Sequence, residues 1–179
     1  MSAERSSGQA AAVVGGPSRP DWDEYFLSLA DLAASRSTCL RRRVGAILVS
    51  GRRVLATGYN GAPQGMPHCL EVGCLRDRQG IPSGQRHELC RGIHAEQNAI
   101  LQAAQYGIPI RAATMYCTNQ PCTICTKLML NLDINRLVIR AAYPDELALI
   151  LLAEAGFQQS EKDGLAIWSR AIPCGDHAV

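Results

Sequence analysis

Two short motifs constrain this chain more than anything else in it: His94-Ala95-Glu96 and Pro121-Cys122-Thr123-Ile124-Cys125. A Cys-x-x-Cys on the first turn of a helix presents both sulfurs in one direction. The helix N-terminus there also favours their thiolate forms. Pro121 suits the entry of such a helix, which the apolar run 122–132 continues. His94 opens a second run, 94–106, where Ala99, Ile100, Leu101 and Ala104 suit a helix that Gly107 closes.

One His and two Cys are the donor set of a catalytic zinc, which keeps its fourth position for water. Such a zinc draws the pKa of its water down to roughly 7. Glu96 lies two residues past His94, near the metal but not needed as a ligand. A carboxylate there can take the water proton and return it to a ring nitrogen, then to a leaving amine. Alone, a Cys-x-x-Cys also describes a redox pair or half of a structural zinc knuckle, and a lone His or Glu at a helix start is often a cap. Together and in this order they are the pattern of the zinc nucleobase deaminases.

The rest of the chain fits an α/β organisation. Asp21 offers an N-cap for a helix over 22–36, with Trp22, Phe26, Leu29 and Ala33 on one stripe. Apolar runs at 44–49 and 54–57 around Gly51 predict a hairpin. Strands are expected at 113–118, 136–141 and 165–169, and a helix from its cap Asp145 to 155 with Gly156 beyond. This order predicts a three-layer α/β/α sandwich around a mixed sheet of about five strands. The domain should span 21–172, between an arm at 1–20 read as disordered and a tail at 173–179. Residues 61–92 break every period, and a loop that long is uncommon unless something functional orders it.

The net charge of +2 is too small to imply a nucleic-acid partner, and Arg41-Arg42-Arg43 reads as a solvated turn. No apolar run is long enough to span a bilayer. The stretch 10–14 is too short for a secretory core, so a cytoplasmic setting is expected. Eight cysteines without a leader then point to metal or catalysis rather than disulfides.

The sequence resembles the deoxycytidylate (dCMP) deaminase family of the cytidine deaminase-like superfamily. The likeness runs through Arg36-Ser37-Thr38-Cys39, Val44-Gly45-Ala46, Gly58-Tyr59-Asn60-Gly61, His94 to Ile100 and Pro121 to Cys125. It implies hydrolysis of dCMP to dUMP and ammonia, supplying thymidylate synthesis. It also implies a homo-oligomer, commonly a hexamer, often controlled by dCTP and dTTP. His94, Cys122 and Cys125 would hold the catalytic zinc and Glu96 would shuttle protons. The Ala95 N–H would hold the pyrimidine carbonyl and Asn60 the sugar. Gly58, Tyr59 and Gly61 are associated with the effector site in regulated members.

A second, structural zinc is expected over the irregular segment, with four ligands from Cys39, Cys69, Cys74, His87 and Cys90. The resemblance matches Cys39 and Cys69, and spacing makes His87 and Cys90 the natural pair. Cys117 reads as a core residue, Cys174 has no neighbouring chemistry, and His68 and His177 read as surface residues, with His68 beside Cys69 a spare ligand. For a 5′-phosphate, Arg36, Arg76, Arg78, Arg86 and Arg91 are available and Tyr143 is a candidate pocket residue. The alternatives are a tRNA adenosine deaminase or another nucleobase or nucleoside deaminase, and a non-catalytic deaminase-like zinc protein. No broad basic face favours the first, and Glu96 has no use in the last.

Overall fold

Residues 19–143 and 145–171 are described by the computed structural model of the chain. Nearly all of the expected arm and the whole of the tail, with Cys174 and His177, lie outside the described residues. Asp21 caps helix α1 (Trp22–Ala34), its carboxylate accepting the Glu24 N–H at 2.9 Å. The expected apolar stripe is rotated, however. Leu27, Ala30 and Ala34 join Phe26 in the core, while Trp22 stays 39% exposed. The reason is close approach: a Cβ on Gly45 would lie 1.9 Å from the Ala30 carbonyl, so α1 sits on its smallest residues.

Strands β1 (Gly45–Ser50), β2 (Arg53–Tyr59), β3 (Thr114–Asn119), β4 (Arg136–Ala141), β5 (Gln158–Lys162) and β6 (Leu165–Ser169) form one sheet. Its order is β2-β1-β3-β4-β6-β5, with β3 and β4 parallel and every other pair antiparallel. Six strands, not about five, make the sheet. The extra one is β5, whose five residues are all exposed and carry no alternation to read. It is an edge strand paired with β6 through Asp163-Gly164, at φ 52° and 79°. That is the two-residue turn a right-twisted hairpin prefers.

Alternation along the strands builds two cores. Ile47, Val49, Tyr116, Val138 and Ile167 face α1. Ala46, Leu48, Met115, Cys117, Leu137 and Ile139 face the opposite layer, made of α4 (Ala95–Gln105), α5 (Thr123–Asn131) and α6 (Glu146–Glu154). The chain is thus a three-layer α/β/α sandwich with a mixed sheet. Asp23 fastens the α1 layer, taking both Arg136 Nη atoms at 2.8 Å and the Tyr116 hydroxyl at 2.9 Å. None of the described helices is long and apolar enough to cross a membrane.

The segment 61–92 holds two four-residue helices, α2 (Cys69–Val72) and α3 (Leu75–Arg78), and a 3₁₀ turn at His87–Leu89. Arginines order much of it. Arg41 reaches Asp77 at 2.5 Å and the Ile81 carbonyl, and Arg91 donates to the Pro67 carbonyl at 2.8 Å. Arg41 is therefore a latch rather than part of a solvated turn. His68 spends its Nδ1 on the Thr38 hydroxyl, 3.1 Å away.

Candidate metal centre and its pocket

The β3-α5-β4 crossover places the start of α5 beyond the carboxyl end of β3, where ligands collect in open α/β sheets. Cys122 is the N-cap residue of α5 and Cys125 lies in its first turn. Asp145 pins that start. It accepts the Thr123 N–H at 2.8 Å and hydroxyl at 2.6 Å, and also caps α6 through the Ala148 N–H at 3.2 Å. His94 is the N-cap residue of α4, and its own N–H donates to Gln97 Oε1 at 2.9 Å.

His94 Nδ1 stands 3.4 Å from the sulfur of Cys122 and 3.4 Å from that of Cys125. A hydrogen bond from Cys125 holds the Cys122 thiol down at about 4, and the same partnership pushes the Cys125 thiol well up. The donors lie close enough together to hold one cation between them. The donor types and their crowding at two helix N-termini fit zinc. Glu96 is 4% exposed, and its carboxylate lies within 4.8 Å of donor atoms of both His94 and Cys125. Burial pushes its carboxyl upward.

The other ring nitrogen of His94 faces His87. His94 Nε2 and His87 Nδ1 are 3.2 Å apart, and His87 Nε2 is 3.5 Å from the Tyr143 hydroxyl. The Arg42 guanidinium lies 5.1 Å from the Tyr143 ring centroid. His87 therefore sits against the His94 and Cys122 donors, away from the separate role that spacing with Cys90 suggests. Local spacing misses the turn at Arg86, whose φ of 52° redirects the chain just before it. Cys39, Cys74 and Cys90 gather around Cys69 closely enough to raise its thiol further after burial, and all four are free thiols. Among the described residues no three of these sulfurs lie within 4.8 Å of one another, whereas His94 shares such a group with His87 and Cys122 and another with Glu96 and Cys125.

A cleft with about 920 Å³ of empty space, part of it open to solvent, joins these groups. Asn60 lines it with its amide largely spent. Oδ1 accepts from Ser37 at 2.6 Å and the Val44 N–H at 2.8 Å, and Nδ2 donates to the Arg42 carbonyl at 2.8 Å. One amide hydrogen remains. The Ala95 N–H belongs to the first turn of α4, where a helix offers no acceptor of its own. Gly61 lines the cleft, whereas Gly58 lies under α4: a Cβ there would be 2.0 Å from the Ala95 carbonyl. Sequence reasoning passes over Arg42, Gln120 and Gly84, all in the cleft wall, and the second cap made by Asp145. Arg42 and Gly84 meet Tyr143 across long sequence separations, whereas Gln120 sits directly before the Pro121-to-Cys125 motif.

Residues 20–141 match the family described as the cytidine and deoxycytidylate deaminase zinc-binding region. The chain belongs to this deaminase family. Zinc is the metal of its matched region, and the His and Cys donors gathered here suit it. The chain is 43% identical over 141 residues to a deoxycytidylate deaminase of Schizosaccharomyces pombe, covering 78% of this chain and 44% of that one. The chain thus spans less than half the length of that yeast relative. It is 43% identical over 134 residues to the deoxycytidylate deaminase of Mycobacterium phage D29, covering 72% of this chain and 98% of the phage protein. The dCMP deaminase of cyanophage S-TIM5, solved with dCMP and dUMP, superposes with a TM-score of 0.65 at 30% identity, over 78% of this chain and 96% of that one.

Proposed function

We propose that the chain hydrolyses dCMP to dUMP and ammonia, with His94, Cys122 and Cys125 holding zinc and Glu96 carrying the protons. The observation that carries this reading is the buried Glu96 carboxylate beside the three-donor cluster, at the base of an open cleft. Zinc supplies Lewis acidity that readies water for attack at neutral pH. Glu96 accepts one proton from the attacking water and hands it to N3 of the cytosine, then takes the second from the hydroxyl left on C4 and gives it to the departing amine, leaving the oxygen as the uracil carbonyl. Its burial suits the exchange, because a dry carboxyl binds a proton readily and keeps it from bulk water. In this reading the Ala95 N–H holds the pyrimidine carbonyl, the remaining Asn60 amide hydrogen binds the sugar and Tyr143 lines the pocket, all three facing the same cleft.

The nucleotide substrate is supported by the phage relative that the chain nearly spans in full and by the cyanophage structure with dCMP and dUMP. Purified protein should release ammonia from dCMP in preference to dCTP, deoxycytidine or a tRNA anticodon stem. Absence of turnover on every cytosine nucleotide would overturn the assignment.

Cys39, Cys69, Cys74 and Cys90 form the second zinc site in this reading, drawing segment 61–92 together over the cleft. Metal analysis of active protein should give two zincs per chain; one zinc at full activity removes the second site. A cytoplasmic homo-oligomer, expected as a hexamer, would cover apolar side chains such as Leu101 and Tyr106, which are 52% and 68% exposed. Effector control by dCTP and dTTP would act through Gly58, Tyr59 and Gly61.

A further inference from the structure

Arg76 is 7% exposed, yet among the described residues it forms no ion pair. Its Nη2 donates to the Pro82 carbonyl at 3.2 Å, and its Nε is buried with no partner at all. The neighbouring carboxylate, Asp77, is held by Arg41. The more exposed Arg136, Arg140 and Arg170 each have a carboxylate within 3.5 Å. A guanidinium buried without a counter-charge is costly, and a protein keeps one where an anion will arrive. Arg76 lines the same cleft as His94, Glu96 and Asn60.

The charge of Arg76 is felt at His87, His94 and Tyr143 in the cleft as well as at the neighbouring Asp77. Of the other arginines a phosphate could use, Arg36, Arg78, Arg86 and Arg91 are all exposed; in the cleft wall, Arg41 is held by Asp77, and Arg42 is exposed and lies against the Tyr143 ring. Arg86 is paired with Glu88, and Arg91 is spent on the Pro67 carbonyl.

We propose that Arg76 receives the 5′-phosphate of a nucleoside monophosphate and makes this site select nucleotide over nucleoside. The proposal rests on the cytosine-nucleotide reading above. Its planar fork matches phosphate oxygens, and burial strengthens each charge-assisted hydrogen bond. The Cys-rich segment thereby gains a role in substrate binding. Arg76 lies on α3, two residues beyond Cys74, so ordering the cysteines positions the phosphate contact.

The test compares wild type with Arg76→Gln and Arg76→Lys, using dUMP and deoxyuridine for binding and dCMP and deoxycytidine for turnover. Wild type should bind dUMP far more tightly than deoxyuridine. Arg76→Gln should weaken dUMP binding and raise the KM for dCMP about 100-fold. Deoxyuridine binding, deoxycytidine turnover and zinc content should stay within about 3-fold of wild type. Arg76→Lys, which keeps the charge and a donor for Pro82, should recover part of the loss, and exposed Arg78→Gln should match wild type. A parallel fall for phosphorylated and unphosphorylated ligands overturns the proposal in favour of a loop latch, as does unchanged dUMP binding. The binding arm stands without turnover. Wild type that binds dUMP through Arg76 but deaminates no cytosine nucleotide would remove the deaminase reading and leave the phosphate subsite.

Discussion

Replacing Glu96 with Gln should lower kcat for dCMP at least about 10³-fold while the protein keeps its zinc. The size follows from how many steps use this one group. General acid–base catalysis by a positioned side chain contributes roughly 10²–10⁴-fold, and in the proposed reaction the same carboxylate moves two protons in turn, one to the ring and one to the amine. Glutamine keeps the shape and hydrogen-bonding reach but can do neither. Glutamine fills the same volume as glutamate, so the variant should fold and melt close to wild type.

Three measurements on the one variant separate the readings. Lost activity with retained zinc and an unchanged melt assigns proton transfer to Glu96. Lost zinc would make the carboxylate a ligand, and activity within about 10-fold of wild type would place the proton carrier elsewhere. A non-catalytic zinc protein would show no turnover in either form.

The catalytic cluster is legible in the sequence because its signals are local. The two motifs sit on helix starts whose caps and closing residues lie within a dozen positions, and β4 and β6 follow from short apolar runs with clear ends. What stays hidden depends on distant partners. Strand β5 owes its existence to pairing with β6, not to any pattern in Gln158–Lys162. The buried face of α1 is chosen by the Gly45 approach, which favours Ala30 over larger neighbours. His87 turns to His94 because the loop bends at Arg86, and spacing within His87-x-x-Cys90 carries no trace of that bend. In the sequence Arg76 is no different from the other arginines near the pocket. Only burial without a counter-charge sets it apart.

The same dependence on distant contacts makes Gly58→Ala a severely damaging small substitution, comparable in steric terms to Gly45→Ala but placed against the helix that carries Glu96. A Cβ at Gly58 would lie 2.0 Å from the Ala95 carbonyl and 2.5 Å from the Ala99 nitrogen, both backbone atoms of α4. No rotamer change relieves that contact, so β2 and α4 must separate. Overpacking of this kind costs about 3 kcal/mol or more, which for a domain of this size lowers the melting temperature by roughly 6–12 °C. The displaced part of α4 begins with Ala95 and Glu96 and is capped by His94, so kcat should fall together with stability. Gly107→Ala is the matched control. It has φ +63° but nothing within 4 Å of the new Cβ, so it should cost only the left-handed strain, about 1 kcal/mol, and spare activity. A Gly58→Ala variant that melts beside the control with normal kcat would show that the strand–helix spacing yields easily. If such a variant lost only its response to dCTP or dTTP, Gly58 would belong to an effector site rather than to the seat of α4.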